Sequence, residues 1–188
     1  GSGNTRNTSG SVTMKDGSMS SSVKHDRSDT TVSDDGTKTT TRKGGGLDIG
    51  PDSFKATGSG GRTVTDADGN SSSVDVNAAV TADTIAAGVK TSEVEKNEDG
   101  SSTSSSTTGN VKIDRNHMAG DVGRTVTDVD ADGNKESTSG KVRFDTDGKI
   151  GMDVSKETSD ADGNKEKHSA SVDYDHDAKK VGVKTGHS

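Results

Sequence analysis

An all-β fold is the prediction for this 188-residue chain, and three observations carry it. Acidic turn signals recur at a near-constant interval. The few apolar residues stand at alternate positions. A six-residue word, Gly61-Arg62-Thr63-Val64-Thr65-Asp66, returns letter for letter at Gly123 to Asp128. Such repetition marks a chain built from one small unit. The expected architecture is a repetitive antiparallel meander or two-layer sheet of short strands with a period of about 15–16 residues. A β-solenoid with the same period per coil is the alternative.

The turns come first. Asp-Gly between alternating segments is a strong hairpin signal. It occurs at Asp16-Gly17, Asp35-Gly36, Asp68-Gly69, Asp99-Gly100, Asp132-Gly133, Asp147-Gly148 and Asp162-Gly163. The wider gaps are close to twice the narrow ones. Their midpoints carry turn chemistry too, at Gly50-Pro51-Asp52, Ala82-Asp83 and Asp114 to His117, and Asp175-His176-Asp177 follows the last. About eleven tips result, spaced by about sixteen residues. The rhythm is most regular over 130–188, which divides into four lines that each open on an acidic turn.

Halfway between tips lies a second set of small residues. It comprises Gly44-Gly45-Gly46, Gly58 to Gly61, Gly88, Thr108-Gly109-Asn110, Gly120 to Gly123, and Ser139-Gly140. Glycine supplies the positive φ of tight turns, so these are read as further turns. The unit then reads strand, acidic turn, strand, small-residue turn. It predicts about twenty strands of about five or six residues, with an Asp-Gly edge opposite a Ser/Gly edge.

The strands alternate. Val142 and Phe144 precede one tip, and Ile150, Met152 and Val154 follow it. Val172 and Tyr174 precede the next, with Val181 and Val183 after it. Successive strand residues point to opposite faces, so one face carries a thin apolar stripe and the other is wet. Two stretches fit less well. Asn77 to Lys90 is alanine-rich; its parity predicts strand, with a short helix as the alternative. Ser101 to Thr108 has no apolar residue and reads as an edge strand or a loop. The chain is taken as a single β-repeat domain over 1–188, its first ten or so residues flexible.

Composition narrows function. Only 22% of residues are hydrophobic and 2% aromatic. That poverty suits a disordered chain, and the period-two placement is what argues for sheet instead. There is no cysteine, hence no disulfide framework and no thiolate site. Net charge is −7 with both signs mixed, which disfavours a nucleic-acid partner. No apolar run reaches membrane-spanning length, and no signal-peptide pattern is visible. No nucleophile elbow or phosphate loop occurs, so no enzyme is expected.

One motif carries chemistry. Asp128-Val129-Asp130-Ala131-Asp132-Gly133 has the D-x-D-x-D-G opening of a calcium loop, but position twelve is Ser139 and no helices flank it. Asp66-Ala67-Asp68-Gly69, Asp145-Thr146-Asp147-Gly148 and Asp160-Ala161-Asp162-Gly163 are shorter versions. The candidate metal set is therefore Asp128, Asp130, Asp132, Asp145, Asp147, Asp160 and Asp162, with Ca²⁺ the candidate ion and no cofactor required. The plain alternative is that Asp and Gly are hairpin residues. The histidines, at 25, 117, 168, 176 and 187, show no ligand spacing and are read as solvated.

Two resemblances follow from these segments. Glu93 to Gly100 running into SSTSSSTTG, and TGSGGRTVTDADGNSSSVDV from Thr57 to Val76, resemble the low-complexity cement proteins of barnacles. Those alternate Ser/Thr/Gly blocks with charged, valine-bearing blocks. The resemblance implies a secreted, noncatalytic adhesive. TVTDADGN and SVDYDHDAKKVGVKT are similar in wording to the YD (Rhs-type) repeats of large bacterial secreted proteins. The functional expectation is a non-enzymatic extracellular structural or adhesive protein. Its partners would be copies of itself and solid or mineral surfaces, with no nucleic acid and no membrane span. A calcium-binding repeat module of a larger secreted assembly is the alternative.

Overall fold

A computed structural model describes residues 2–188 as one open antiparallel meander of twelve strands. The first six are β1 (Gly3–Lys15), β2 (Ser18–Val32), β3 (Lys38–Ile49), β4 (Phe54–Thr65), β5 (Ser71–Thr81) and β6 (Thr84–Lys96). The last six are β7 (Ser102–Asp114), β8 (Met118–Val129), β9 (Lys135–Asp145), β10 (Lys149–Ser159), β11 (Lys165–Asp175) and β12 (Lys180–His187). Each strand pairs with the next, and only consecutive strands lie backbone to backbone. Pairing within successive hairpins excludes the solenoid. The sheet has one layer and does not close on itself. Among the described residues there is no helix long and apolar enough to cross a membrane.

The meander is as expected, but the strand count is not. Twelve strands of 8 to 15 residues replace about twenty of about five. The sixteen-residue interval is one strand plus one turn, and all eleven acidic or polar tips connect strands. The second set of small residues lies inside strands. Gly44 to Gly46 are in β3, Gly58 to Gly61 in β4, Gly88 in β6, and Gly120 to Gly123 in β8. None of these glycines has positive φ. Their role is absence of a Cβ, not conformational freedom, as shown below. The predicted Ser/Gly edge therefore does not exist, and both rims of the sheet are made of acidic or polar turns.

One local expectation holds and another changes. Asn77 to Lys90 is a hairpin, β5 into β6 around Ala82-Asp83, so the strand parity prevails over the alanine content. Ser101 to Thr108 is neither edge nor loop, because Ser102 opens β7, a central strand flanked by β6 and β8. Residues 3–10, expected to be flexible, belong to the outer strand β1, which is exposed along its whole length.

Successive turns fall on alternate rims. The even rim holds the β2–β3, β4–β5, β6–β7, β8–β9 and β10–β11 turns, and it repeats one geometry. The first N–H of each five-residue turn donates to the fifth carbonyl, as in Asp130 N to Asn134 O at 3.0 Å. The glycine N–H at position four returns to the first carbonyl, as in Gly133 N to Asp130 O at 3.1 Å. That glycine has φ of 85° at Gly36 and Gly69, 87° at Gly100, 89° at Gly133 and 90° at Gly163. This is a three-residue loop, a type I turn closed by a left-handed glycine, in place of the two-residue Asp-Gly turn. Only Asp16-Gly17 has both residues at positive φ, 51° and 78°. The odd rim, with turns at Asp16-Gly17, Gly50–Ser53, Ala82-Asp83, Arg115–His117, Thr146–Gly148 and His176–Lys179, follows no single pattern.

Among the described residues no hydrophobic side chain is buried. Ladder hydrogen bonds and cross-strand pairs hold the sheet, the latter contributing roughly 0.2–1 kcal/mol each.

Candidate functional site

Pairing register assigns every residue to one of two faces, since directly paired residues project to the same side. One face is dominated by hydroxyls and charges. A single row, followed partner to partner from β2 to β11, reads Thr30, Thr40, Thr63, Ser73, Ser92, Ser106, Thr125, Ser139, Ser155 and Ser169. No position in it lacks a hydroxyl. Thr30 bonds Thr40 at 3.1 Å, Ser73 bonds Ser92 at 2.6 Å, and Ser139 bonds Ser155 at 2.7 Å. At about 4.8 Å per strand the row extends for roughly 40 Å. Six of its ten members pair in twos, and all keep further lone pairs for outside partners, because a hydroxyl has one donor and two acceptor positions.

A parallel row toward the odd rim is polar or glycine in all twelve strands. It reads Asn7, Asp26, Gly44, Ser59, Asn77, Gly88, Asn110, Asp121, Arg143, Gly151, Asp173 and Gly182. Here the glycines make room. Arg143 reaches across Gly151 to Asp173 at 3.1 Å, and a Cβ on Gly151 would stand 2.7 Å from that carboxylate. In the neighbouring row Arg42 spans Gly61 to reach Asp75 at 2.8 Å, and a Cβ on Gly61 would overlap the Asp75 carboxylate. Side chains two strands apart, which ordinarily do not meet, form ion pairs over a glycine floor. Asn77, Asn110, Asp121, Arg143 and Asp173 line a groove of about 760 Å³ on this face.

The seven predicted aspartates do not form one site. Asp130, Asp132, Asp160 and Asp162 lie on the even rim, while Asp145 and Asp147 lie on the odd rim. Asp128 is on the other face in β8, where it accepts Thr103 Oγ1 at 2.6 Å. The first aspartate of each full motif is engaged by its own turn. Asp130 Oδ1 accepts the N–H groups of Asp132 at 3.0 Å and Asn134 at 2.9 Å, and its Oδ2 accepts the Asn134 amide at 2.8 Å. Asp160 is held by Asn164 N and Nδ2 at 2.8 and 2.6 Å. Asp66 is held by Asn70 in the same way. Those donors favour the charged form, so the carboxyls of Asp66, Asp130 and Asp160 sit below their ordinary pKa, the asparagine amide being the largest cause. Asp99 is lowered by the Ser101 hydroxyl and Asp35 by the Thr37 N–H. With those oxygens committed, and motifs on one rim roughly 9.6 Å apart, no loop gathers the six to eight oxygens that calcium takes. The residues do not fit a calcium cage.

The Asp-x-Asp-Gly-Asn word is explained by its asparagine. Asn134 Oδ1 also accepts the Ala161 N–H of the next even-rim turn at 3.2 Å, and Asn70 Oδ1 accepts Lys96 N at 2.7 Å. All three asparagines brace their own turns, and Asn70 and Asn134 also tie theirs to a neighbour.

Sequence reading missed two clusters. His117, Asp145 and Asp147 present ligand atoms within 4.8 Å of one another, with His117 Nε2 3.4 Å from Asp147. Glu166, His168 and His187 do likewise; the two imidazoles stack at 4.5 Å as register partners. Imidazole with carboxylate suits a borderline transition ion better than calcium. The signal was available: in an antiparallel pair the two residue numbers keep a constant sum, so the turn after Asp175 places His187 opposite His168. No family model matches this chain, and no curated protein or solved structure matches it either.

Proposed function

We propose that this is a non-enzymatic extracellular structural protein that adheres to wet solid or mineral surfaces and joins further copies through its open edge strands. The unbroken hydroxyl row from Thr30 to Ser169 carries the reading. A periodic array of donors and acceptors, flanked by charges of both signs, can hydrogen-bond a hydrated oxide or mineral at many points at once. Multiplicity makes individually weak contacts strong together. The shifted titratable groups are turn aspartates exposed to water, not the buried pairs that acid–base catalysis uses. The edge strands β1 and β12 offer unpaired backbone groups to another chain. The secreted location rests on the resemblance to cement proteins.

Adsorption to hydrated silica, followed as retained mass on a quartz crystal microbalance, tests the surface role. Replacing Ser73, Ser92, Ser106 and Thr125 with alanine is expected to lower retained mass several-fold while the sheet signal in circular dichroism persists. Equal retention by that variant would remove the hydroxyl row from the account. Edge pairing predicts thioflavin-positive assemblies that grow with salt, as the Debye length falls to about 3 Å near 1 M.

A further inference from the structure

The second face carries what the first lacks. A band of apolar side chains crosses all twelve strands on it, from Val12 and Met14 in β1, through Val76, Val89 and Val122, to Val181 and Val183 in β12. Its members are open to water, with Met14 74% and Val183 66% exposed. About twenty large side chains, each with on the order of 60 Å² uncovered, amount to roughly 2,400 Å² over two copies, above the roughly 1,600 Å² of a standard interface. Monomeric proteins rarely leave so large a patch bare.

We infer that a second copy of this chain covers the band, making a closed two-layer dimer in which β1 of one copy lies over β12 of the other. Shape and charge select this arrangement. In one register row across the band, β3 and β4 contribute Gly45 and Gly58, whereas β9, β10 and β11 contribute Phe144, Ile150 and Tyr174. A two-fold axis parallel to the strands sets β4 over the partner's β9 and β3 over its β10. The partner's Phe144 then enters the hollow at Gly58, and the partner's Ile150 the hollow at Gly45. The hollow is open, since a Cβ on Gly58 would meet nothing within 4 Å. Stacking β1 on β1 instead would set glycine over glycine and Phe144 over Phe144. Charge agrees. On this face β1 to β4 carry Arg6, Arg27, Lys43 and Arg62 against Asp29, while β9 to β12 carry Glu136 and Glu166 against Lys156. The proposed stacking opposes these ends, and the other superposes the basic end on itself. Both hydroxyl faces would then point outward, so the inference does not rest on the adhesive reading and is compatible with it.

The chain has no cysteine, so single introduced thiols report proximity cleanly. Mixtures of Gly58→Cys and Phe144→Cys full-length chains, treated with a short bis-maleimide because facing sheets stand about 10 Å apart, beyond the reach of a disulfide, are expected to yield a cross-linked heterodimer, with either variant alone giving little product. At low salt, before edge pairing sets in, sedimentation of the unmodified chain should plateau at twice 19.1 kDa. Gly58→Leu, whose Cβ meets nothing of its own chain within 4 Å, is expected to weaken the dimer at least tenfold, and Phe144→Ala to weaken it independently. A monomer at all concentrations, a plateau unmoved by both substitutions, or cross-linking of Gly58→Cys to itself would each overturn the arrangement.

Discussion

The two rims of the sheet differ in kind although the same strands feed both. The even rim uses one turn five times, and three of the five turns are spelled Asp-Ala-Asp-Gly-Asn. The odd rim uses six turns with little in common, and its neighbours are tied by whatever residues are present. Arg115 meets Asp83 at 2.6 Å, His117 meets Asp147, and His176 N donates to Gly148 O at 3.1 Å. Identical turns can be braced by one device, the asparagine link, whereas unlike turns need a separate solution at each junction. The true repeat is thus a hairpin of two strands with its ordered end on the even rim.

Acid is the broadest way to break this contrast, because it acts on all five even turns together. Asp35, Asp66, Asp99, Asp130 and Asp160 all have folded-state pKa values below the 3.8 of a free aspartate. For a depressed carboxyl the stabilisation is present above the unfolded value and disappears as pH falls through the folded one. The even rim is therefore expected to hold at pH 4 and above and to loosen below it. Hydrogen exchange at Asn70, Asn134 and Asn164 amides would show it; odd-rim amides opening first would reverse the comparison.

Single substitutions sharpen it further. Gly133→Val places a β-branched residue at φ 89°, and about 2 kcal/mol of stability should be lost in urea titration. Ala82→Val, on the odd rim at ordinary φ, should change stability by less than about 0.5 kcal/mol. Asn134→Ala removes the brace on Asp130 and the tie to Ala161, with an expected loss of about 1 kcal/mol and faster exchange in both the β8–β9 and β10–β11 turns. An effect confined to the first turn would show that the tie carries nothing. Smallest is Arg115→Ala, where an exposed ion pair with Asp83 contributes less than about 0.5 kcal/mol and should vanish in high salt.

How far this could be read from the sequence depends on what each signal reports. Turn positions were legible because Asp-Gly and Gly-Pro-Asp restrict the backbone locally. The face alternation was legible for the same local reason. The glycines inside strands were misread: Gly61 is required by Arg42 reaching over it from the neighbouring strand, a relation that exists only once register is known, as is that of Gly151 to Arg143. The seven aspartates were grouped by spelling. An interval of one strand sends successive tips to opposite rims, so Asp130 and Asp145 could never share a site, while Asp145 and His117 could.

That each strand's backbone pairs only with its chain neighbours has a consequence for history and mechanics alike. Such a sheet is a linear polymer of hairpins, its stability close to a sum of nearest-neighbour terms. Adding or deleting one hairpin leaves the others' ladders intact and disturbs only the few side-chain links that span two strands, such as Arg143 to Asp173, so length can drift by duplication with little redesign. Pulled from its ends, the chain would yield strand by strand in a long series of small, similar force steps, dissipating work gradually where a tightly cored domain would snap.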